Sequence, residues 1–389
     1  MKFIINTILL FFFFNAVIAE ENLHFFIESA LKNNLKLNAE RKNQKLVKQN
    51  INISRSEFLP SISLTGNQSS SQSENKTNIS GSSLPNTSLD TETKTISVDQ
   101  KIFQGFKGYN SLKKSELEVR QADFMLKKVK QQTILDTVSA YSDFIFKTKN
   151  KEFNLLNVNL FERQVESDSA RLQKGEITLT DLAQSESSLA GANADSIKAK
   201  TELLASTTNF ERIVREKAPS LIETNNNVMI NLPNTLQEAI KIAKLNNSDL
   251  LIAQLDHQIA KKDLNIEKAK LSPSASINYS KSESKDYSSA IDELDQETIK
   301  ATITWPIIKG GKNVSTIKKS ILNKQKALLL SKDAENIVIS KTTNSWSKYQ
   351  SSESVLRATE SQLKASEIAN EGITLEYDSG NSRTTLEVI

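Results

Sequence analysis

The sequence predicts a mainly helical chain with a membrane β-barrel component, built from a duplicated helix-strand-strand-long helix unit. Three observations carry this. Glycine and proline are scarce, at 10 and 6 in 389 residues, so sharp turns are few and the helices must be long. The apolar pattern switches from helical spacing to strict alternation in two places. The chain also repeats itself once, with a unit of about 200 residues, far longer than a solenoid repeat.

Composition narrows the function classes. Hydrophobic residues at 38% and charged residues at 25% do not fit two ordinary globular domains. The absence of cysteine excludes a disulfide framework, a thiolate zinc site, a catalytic cysteine and a lipid-modified one. His24 and His257 are too few for a histidine-rich metal centre. Fifty basic residues face 46 acidic ones, so no nucleic-acid partner is indicated.

Residues 1–19 read as a cleaved export signal. Lys2 supplies the positive start, Ile4 to Phe14 is apolar apart from Asn6 and Thr7, and Ala16-Val17-Ile18-Ala19 offers a cleavage site. That apolar core of about a dozen residues is shorter than the roughly 20 that span a bilayer. No later stretch reads as a transmembrane helix, so any membrane contact must come from strands.

The first repeat occupies 20–217, a linker 218–233, and the second repeat 234–389. Leu23-His-Phe-Phe-Ile-Glu-Ser-Ala-Leu-Lys-Asn-Asn opens the first copy, and Leu236-Gln-Glu-Ala-Ile-Lys-Ile-Ala-Lys-Leu-Asn-Asn the second. Phe58-Leu-Pro60-Ser-Ile62-Ser-Leu64 recurs as Leu271-Ser-Pro273-Ser-Ala275-Ser-Ile277. After one small change of offset, Ile102-Phe103-Gln104-Gly105 matches Ile307-Ile308-Lys309-Gly310, Tyr141-Ser-Asp-Phe144 matches Trp346-Ser-Lys-Tyr349, and the Gly175 turn matches the Gly380 turn.

Each copy opens on a helix, over 20–59 and 234–272, free of glycine and proline; Leu250, Ala253, His257, Ala260 and Leu264 show its spacing. Pro60 and Pro273 end these helices, because proline disfavours helical geometry in the residue before it. Strands follow at about 61–73 and 92–104, and again at about 274–286 and 297–308. Ile62 and Leu64, Ile96 and Val98, Ala275 with Ile277 and Tyr279, and Ala301 with Ile303 and Trp305 alternate with polar residues. Apolar-out, polar-in strands of about ten residues fit a transmembrane barrel, and strand by strand they fit a half-buried soluble sheet equally well. The Ser/Asn-rich stretches 66–92 and 280–297 read as the joining loops.

Glycine-marked turns at Gly105–Gly108 and Gly310–Gly311 lead into long helices at 106–172 and 312–378, and a further long helix covers 178–217. About 60 helical residues extend roughly 90 Å. Ile134, Val138, Tyr141 and Ile145 mark a coiled-coil seam, continued in the second copy by Thr343, Trp346 and Tyr349, and helix packing accounts for this stripe better than cofactor stacking does. Closed membrane barrels start at about eight strands, and open sheet edges in hydrocarbon cost several kcal/mol per unpaired group. A membrane barrel would therefore need several chains, and the strand count alone leaves their number open.

Motifs for chemistry are missing. Gly310-Gly311-Lys312 lacks the upstream glycine of a phosphate loop, and there is no Gly-x-Ser-x-Gly or His-Glu-x-x-His. No enzyme activity and no cofactor are expected. The informative residues lie at the helix-helix turns. Gly175 fits a left-handed helix end, and Thr180 or Asp181 a cap for the next helix. The second turn carries Tyr377, Gly380, Arg383-Thr-Thr-Leu-Glu387 and Val388.

From residue 22 to 389 the chain resembles the TolC-type outer-membrane efflux proteins. The resemblance rests on the duplicated leading helix, Phe58-Leu-Pro60, Ile102-Phe-Gln-Gly105, and above all Gly175…Thr180-Asp181 and Gly380…Arg383-Thr-Thr-Leu-Glu387-Val388. It implies a homotrimer whose twelve strands close one barrel among outer-membrane lipids, above a trimeric α-helical barrel crossing the periplasm. It further implies a closed periplasmic entrance latched by Thr180 and Asp181 on one turn and Tyr377 and Arg383 on the other. Glu387 corresponds to the acidic ring at the constriction, where the family usually has aspartate. The segment from Gly380 to the Arg-Thr-Thr run is one residue longer than the family pattern.

The implied role is a passive exit duct of a tripartite efflux pump or type I secretion system. Its partners would be a periplasmic adaptor and an inner-membrane pump or ABC transporter. The second repeat lacks the return helix that follows Thr180-Asp181 in the first, so the sequence is expected to be a truncated form. The alternative from another class is an exported soluble coiled-coil scaffold without a pore. It leaves the apolar strand faces unexplained.

Overall fold

The computed structural model describes residues 22–83, 85–219, 231–308 and 310–378. The expected signal at 1–19, most of the 218–233 linker, and Arg383 and Glu387 lie outside these residues. In chain order the elements are α1 (Leu23–Asn33), α2 (Leu35–Ser56), β1 (Ser61–Ser73), β2 (Thr87–Gln104), α3 (Lys107–Gln173) and α4 (Leu179–Val214). The same order then recurs as α5 (Leu236–Asn246), α6 (Ser248–Ala269), β3 (Ser274–Ser288), β4 (Ile291–Thr304) and α7 (Lys312–Asp378).

Each leading helix expected as one piece is two. Asn34 and Asn247 leave helical geometry, with ψ near 124° and 120°. At each break the Asn N–H still bonds back into the first helix, to Ala30 O at 2.9 Å and Ala243 O at 2.8 Å. Its side-chain Oδ1 accepts from the N–H three residues on, Leu37 or Leu250, both at 3.1 Å. One asparagine therefore closes one helix and caps the next, satisfying groups that a chain break leaves orphaned.

The chain divides into two compact units. Among the described residues, the first draws on the chain before residue 40, on 129–232 and on the chain from 347. Its core is aromatic. Phe26, Tyr141 and Phe210 are fully buried and meet Leu23, Ala140, Ile213 and Val214, with Val138 and Ile145 packed alongside. Phe26 and Phe210 make an edge contact at 5.0 Å between ring centres, worth about 0.5–1.5 kcal/mol beyond area burial. Tyr141 is thus a packing residue. Asn34 Nδ2 donates to Ile213 O at 2.9 Å and Ser29 Oγ to Glu216 Oε1 at 2.9 Å, which ties α1 to the end of α4.

The second unit, 40–128 with 233–346, holds the sheet and the helices beside it. α3 lies between α2 and α6. On one flank the Ser54 and Ser115 hydroxyls meet at 2.6 Å, and Gln44 Nε2 donates to Asp123 Oδ1 at 2.6 Å. On the other flank runs a ladder: Lys114 Nζ to Asp263 Oδ1 at 2.8 Å, Gln121 Nε2 to Asp256 Oδ1 at 2.6 Å, Lys128 Nζ to Asp249 Oδ1 at 2.6 Å. Each step of seven along α3 meets a step of seven back along α6, the heptad logic of an antiparallel coiled coil. Exposed ion pairs contribute about 0.2–1 kcal/mol each, so the ladder sets register more than stability.

The sheet is antiparallel with order β1-β2-β3-β4. Its strands run further than expected, and the loops at 66–92 and 280–297 shrink. The β1–β2 ladder reaches Ser73↔Thr87, and β3–β4 reaches Ser288↔Ile291 around a tight turn. Ser, Thr and Asn suggested loop, but paired strands with a solvated polar face accept them, since strand preference follows surroundings more than composition. At the other end β4 stops at Thr304, short of the expected 308, because Pro306 has no N–H for the ladder. The turn into α3 uses Gly105 at φ +59°, where a Cβ would collide with the Ser272 side chain and the Ala269 carbonyl.

Candidate functional site

Two surfaces carry the functional argument, and each lies within one unit. The first is the sheet. Antiparallel partners directly opposite each other share a face, and the register joins Leu64 to Ile96, Ile62 to Val98, Val98 to Tyr279, Tyr279 to Ile299, Ile277 to Ala301 and Ala275 to Ile303. These residues make one continuous apolar band. Ile62, Leu64, Ile299 and Ile303 are each about three-quarters exposed, at 74, 75, 76 and 78%, so among the described residues nothing covers these positions.

The other face is polar. Asp99 Oδ1 accepts from Asn278 Nδ2 at 2.8 Å, and the hydroxyls of Thr93 and Ser284 meet at 3.1 Å. β1 and β4 are both edges, so each offers unpaired backbone groups. A half-buried soluble sheet would have its apolar face against a core, and here, among the described residues, no core packs on Ile62, Leu64, Ile299 or Ile303. Among the described residues no helix is long and apolar enough to cross a membrane.

The second surface is the α3–α4 turn. Gly175 takes φ +76° as expected. Its N–H bonds to Leu172 O and that of Glu176 to Arg171 O, both at 2.9 Å, the paired bonds of a Schellman end. The cap of α4 is Thr178 rather than Thr180 or Asp181. Thr178 is extended (φ −92°, ψ 162°), and its hydroxyl accepts from the Asp181 N–H at 3.3 Å. Asp181 completes the reciprocal capping box: its Oδ2 accepts the Thr178 N–H and hydroxyl, each at 2.8 Å. The Thr178 N–H, then its hydroxyl, hold the Asp181 carboxyl below the usual carboxylate range; slight desolvation opposes this and Arg171 adds a smaller pull. Thr180 is exposed in the first turn of α4.

Just inside the turn, α3 and α4 bury a polar knot. Ser185 Oγ donates to Asp168 Oδ2 at 2.6 Å, with Gln164 Nε2 at 3.4 Å from the same oxygen. Gln164, Asp168 and Ser185 are 2, 5 and 2% exposed, so the knot is shielded from bulk solvent. Arg171 connects it to the turn, lying 3.8 Å from Asp168 Oδ1 and 3.4 Å from Glu176 Oε2. Sequence reasoning passed over Thr178 and this knot. Thr178-x-x-Asp181 is a capping-box spacing and was readable, whereas Asp168 and Ser185 only become neighbours once the turn is placed. Of the remaining expected site residues, Tyr377 lies in the last turn of α7, and Arg383 and Glu387 are outside the described residues.

A model of the family described as outer membrane efflux protein matches residues 26–214 and 239–388. The chain belongs to the outer membrane efflux protein family. It is 26% identical over 363 residues to the outer membrane efflux protein BepC of Brucella suis biovar 1, covering 92% of this chain and 76% of BepC. It is 24% identical over 279 residues to the outer membrane protein TolC of Vibrio cholerae serotype O1, covering 69% of this chain and 61% of TolC. The outer membrane protein VceC of Vibrio cholerae matches the fold with a TM-score of 0.75 at 16% identity, over 94% of this chain and 88% of VceC. The two stretches matched by the family model fall one in each copy of the internal duplication, so the helix-strand-strand-helix repeat belongs to the efflux-protein fold.

Proposed function

We propose that the chain assembles as a homotrimer in the outer membrane and serves as the passive exit duct of a tripartite efflux pump or type I secretion system. The observation that carries this is the two-faced sheet with both edges unpaired, in a chain of the outer membrane efflux protein family. Four strands cannot close a barrel, and hydrocarbon does not tolerate open edges. Three copies supply twelve strands, with the Ile62–Ile303 band against lipid and the Asp99–Asn278 face lining the pore. α3 and α7, 67 residues each, extend about 100 Å, a length suited to a helical barrel across the periplasm.

The α3–α4 turn and the turn after α7 would form the entrance, with Thr180 and Asp181 facing Tyr377 and Arg383 in a polar latch. Glu387 would supply an acidic ring at the constriction. Energy would come from an inner-membrane pump or ABC transporter through a periplasmic adaptor. Reconstitution in planar bilayers tests this: a detergent-extracted trimer should conduct ions. A water-soluble protein without conductance would favour the exported scaffold instead.

A further inference from the structure

We infer that α7 of one copy packs antiparallel on α2 of the neighbouring copy in the register of the α3–α6 ladder, with Asp333 facing Lys36. The internal duplication carries the argument. The offset that takes Pro60 to Pro273 takes Lys36, Asn43 and Asn50 to Asp249, Asp256 and Asp263. The offset that takes Gly105 to Gly310 takes Lys114, Gln121 and Lys128 to Lys319, Lys326 and Asp333. The image of the α3–α6 ladder is therefore Lys319 to Asn50, Lys326 to Asn43 and Asp333 to Lys36. In each pair a donor meets an acceptor.

The last pair is the informative one. Within the chain a lysine on the long helix meets an aspartate on the short one, Lys128 with Asp249 at 2.6 Å. In the image the signs are exchanged, aspartate on the long helix and lysine on the short. The exchange preserves complementarity and favours this register: slipping one heptad one way would set Lys326 against Lys36, like charge on like, and the other way would set Ser340 there, with no ion pair. Lys36, Asn43, Lys319, Lys326 and Asp333 are all exposed in the single chain.

The apolar positions agree. Leu117, Phe124, Ile259 and Ile266, beside the α3–α6 ladder, are half-buried. Their images Leu322, Leu329, Leu46 and Ile53 are 64, 66, 63 and 65% exposed. A second copy in the stated register would cover them as α3 and α6 cover each other. The same two offsets carry the β2–β3 pairs Val98↔Tyr279 and Asp99↔Asn278 onto Ile303↔Gly66 and Thr304↔Thr65. The same placement of the neighbour thus sets edge strand β4 beside the neighbour's edge strand β1, with Ile303 and Gly66 on the apolar face.

This register rests on the proposed trimer, and the test separates the two. The chain has no cysteine, so the full chain carrying Lys36→Cys and Asp333→Cys can be treated in outer-membrane vesicles with a short bismaleimide. Covalent dimers and trimers are expected, with little linking for Lys36→Cys paired with Lys326→Cys. A trimer that links through 326, or through neither, overturns the register and leaves the trimer standing; a monomer that links nowhere overturns both. Independently, Lys36→Glu should lower the trimer melting temperature, and Asp333→Lys added to it should restore most of the loss. Two losses that simply add would overturn the pairing.

Discussion

Asp181 Oδ2 accepts both the backbone N–H and the hydroxyl of Thr178, each at 2.8 Å. The residue proposed to hold the entrance shut is thus already committed within its own helix turn. The cap fixes the carboxylate, so in the proposed latch a partner from the second turn would reach only its remaining acceptor capacity. Rigid presentation of that kind would let the proposed contact form and break without melting the hairpin.

Thr178→Ala should cost about 1 kcal/mol of stability, the usual loss for an N-cap, read as a lower thermal midpoint of the extracted protein. The pH response has a defined sign. The Asp181 folded pKa is depressed, so its contribution is present above the unfolded carboxylate value and lost as pH falls through the folded one. Asp181→Asn should remove that acid sensitivity, and an unchanged acid-side profile would contradict the capping role.

Ser185→Ala should destabilise the α3–α4 hairpin by about 1–3 kcal/mol, because it strips the short donor from a buried carboxylate. Asp168→Asn should be milder, as the amide can still accept from Ser185. If both variants melt like the parent, the knot does not anchor the turn.

The latch is tested by conductance. An arginine-carboxylate contact that is partly shielded contributes on the order of 1–3 kcal/mol. Arg383→Ser with Tyr377→Phe should raise single-channel conductance in planar bilayers while the trimer stays intact, and Glu387→Gln should weaken block by divalent cations. Unchanged conductance with a lower melting temperature would make Tyr377 and Arg383 structural.

Much of this was legible in the residues, and the failures have physical causes. Gly175 announced its left-handed turn because no other residue adopts φ +76° cheaply. The duplication announced the element order. The breaks at Asn34 and Asn247 were written in the repeated Asn-Asn pair, but an asparagine cap inside a helical pattern looks like an ordinary polar position until its side chain is seen bonding to Leu37 or Leu250. Strand ends were missed because the long serine-rich stretches are loop-like in composition and become strand only through pairing. The Asp168–Ser185 contact spans two helices and has no local signature at all.

In a lipid-embedded barrel the Ile303 face of the sheet meets lipid and the Thr302 face meets water. In outer-membrane vesicles, a membrane-impermeant charged thiol reagent should label Thr302→Cys and leave Ile303→Cys unmodified until the membrane is dissolved in detergent. Equal labelling of both positions in intact vesicles would contradict a lipid-embedded barrel.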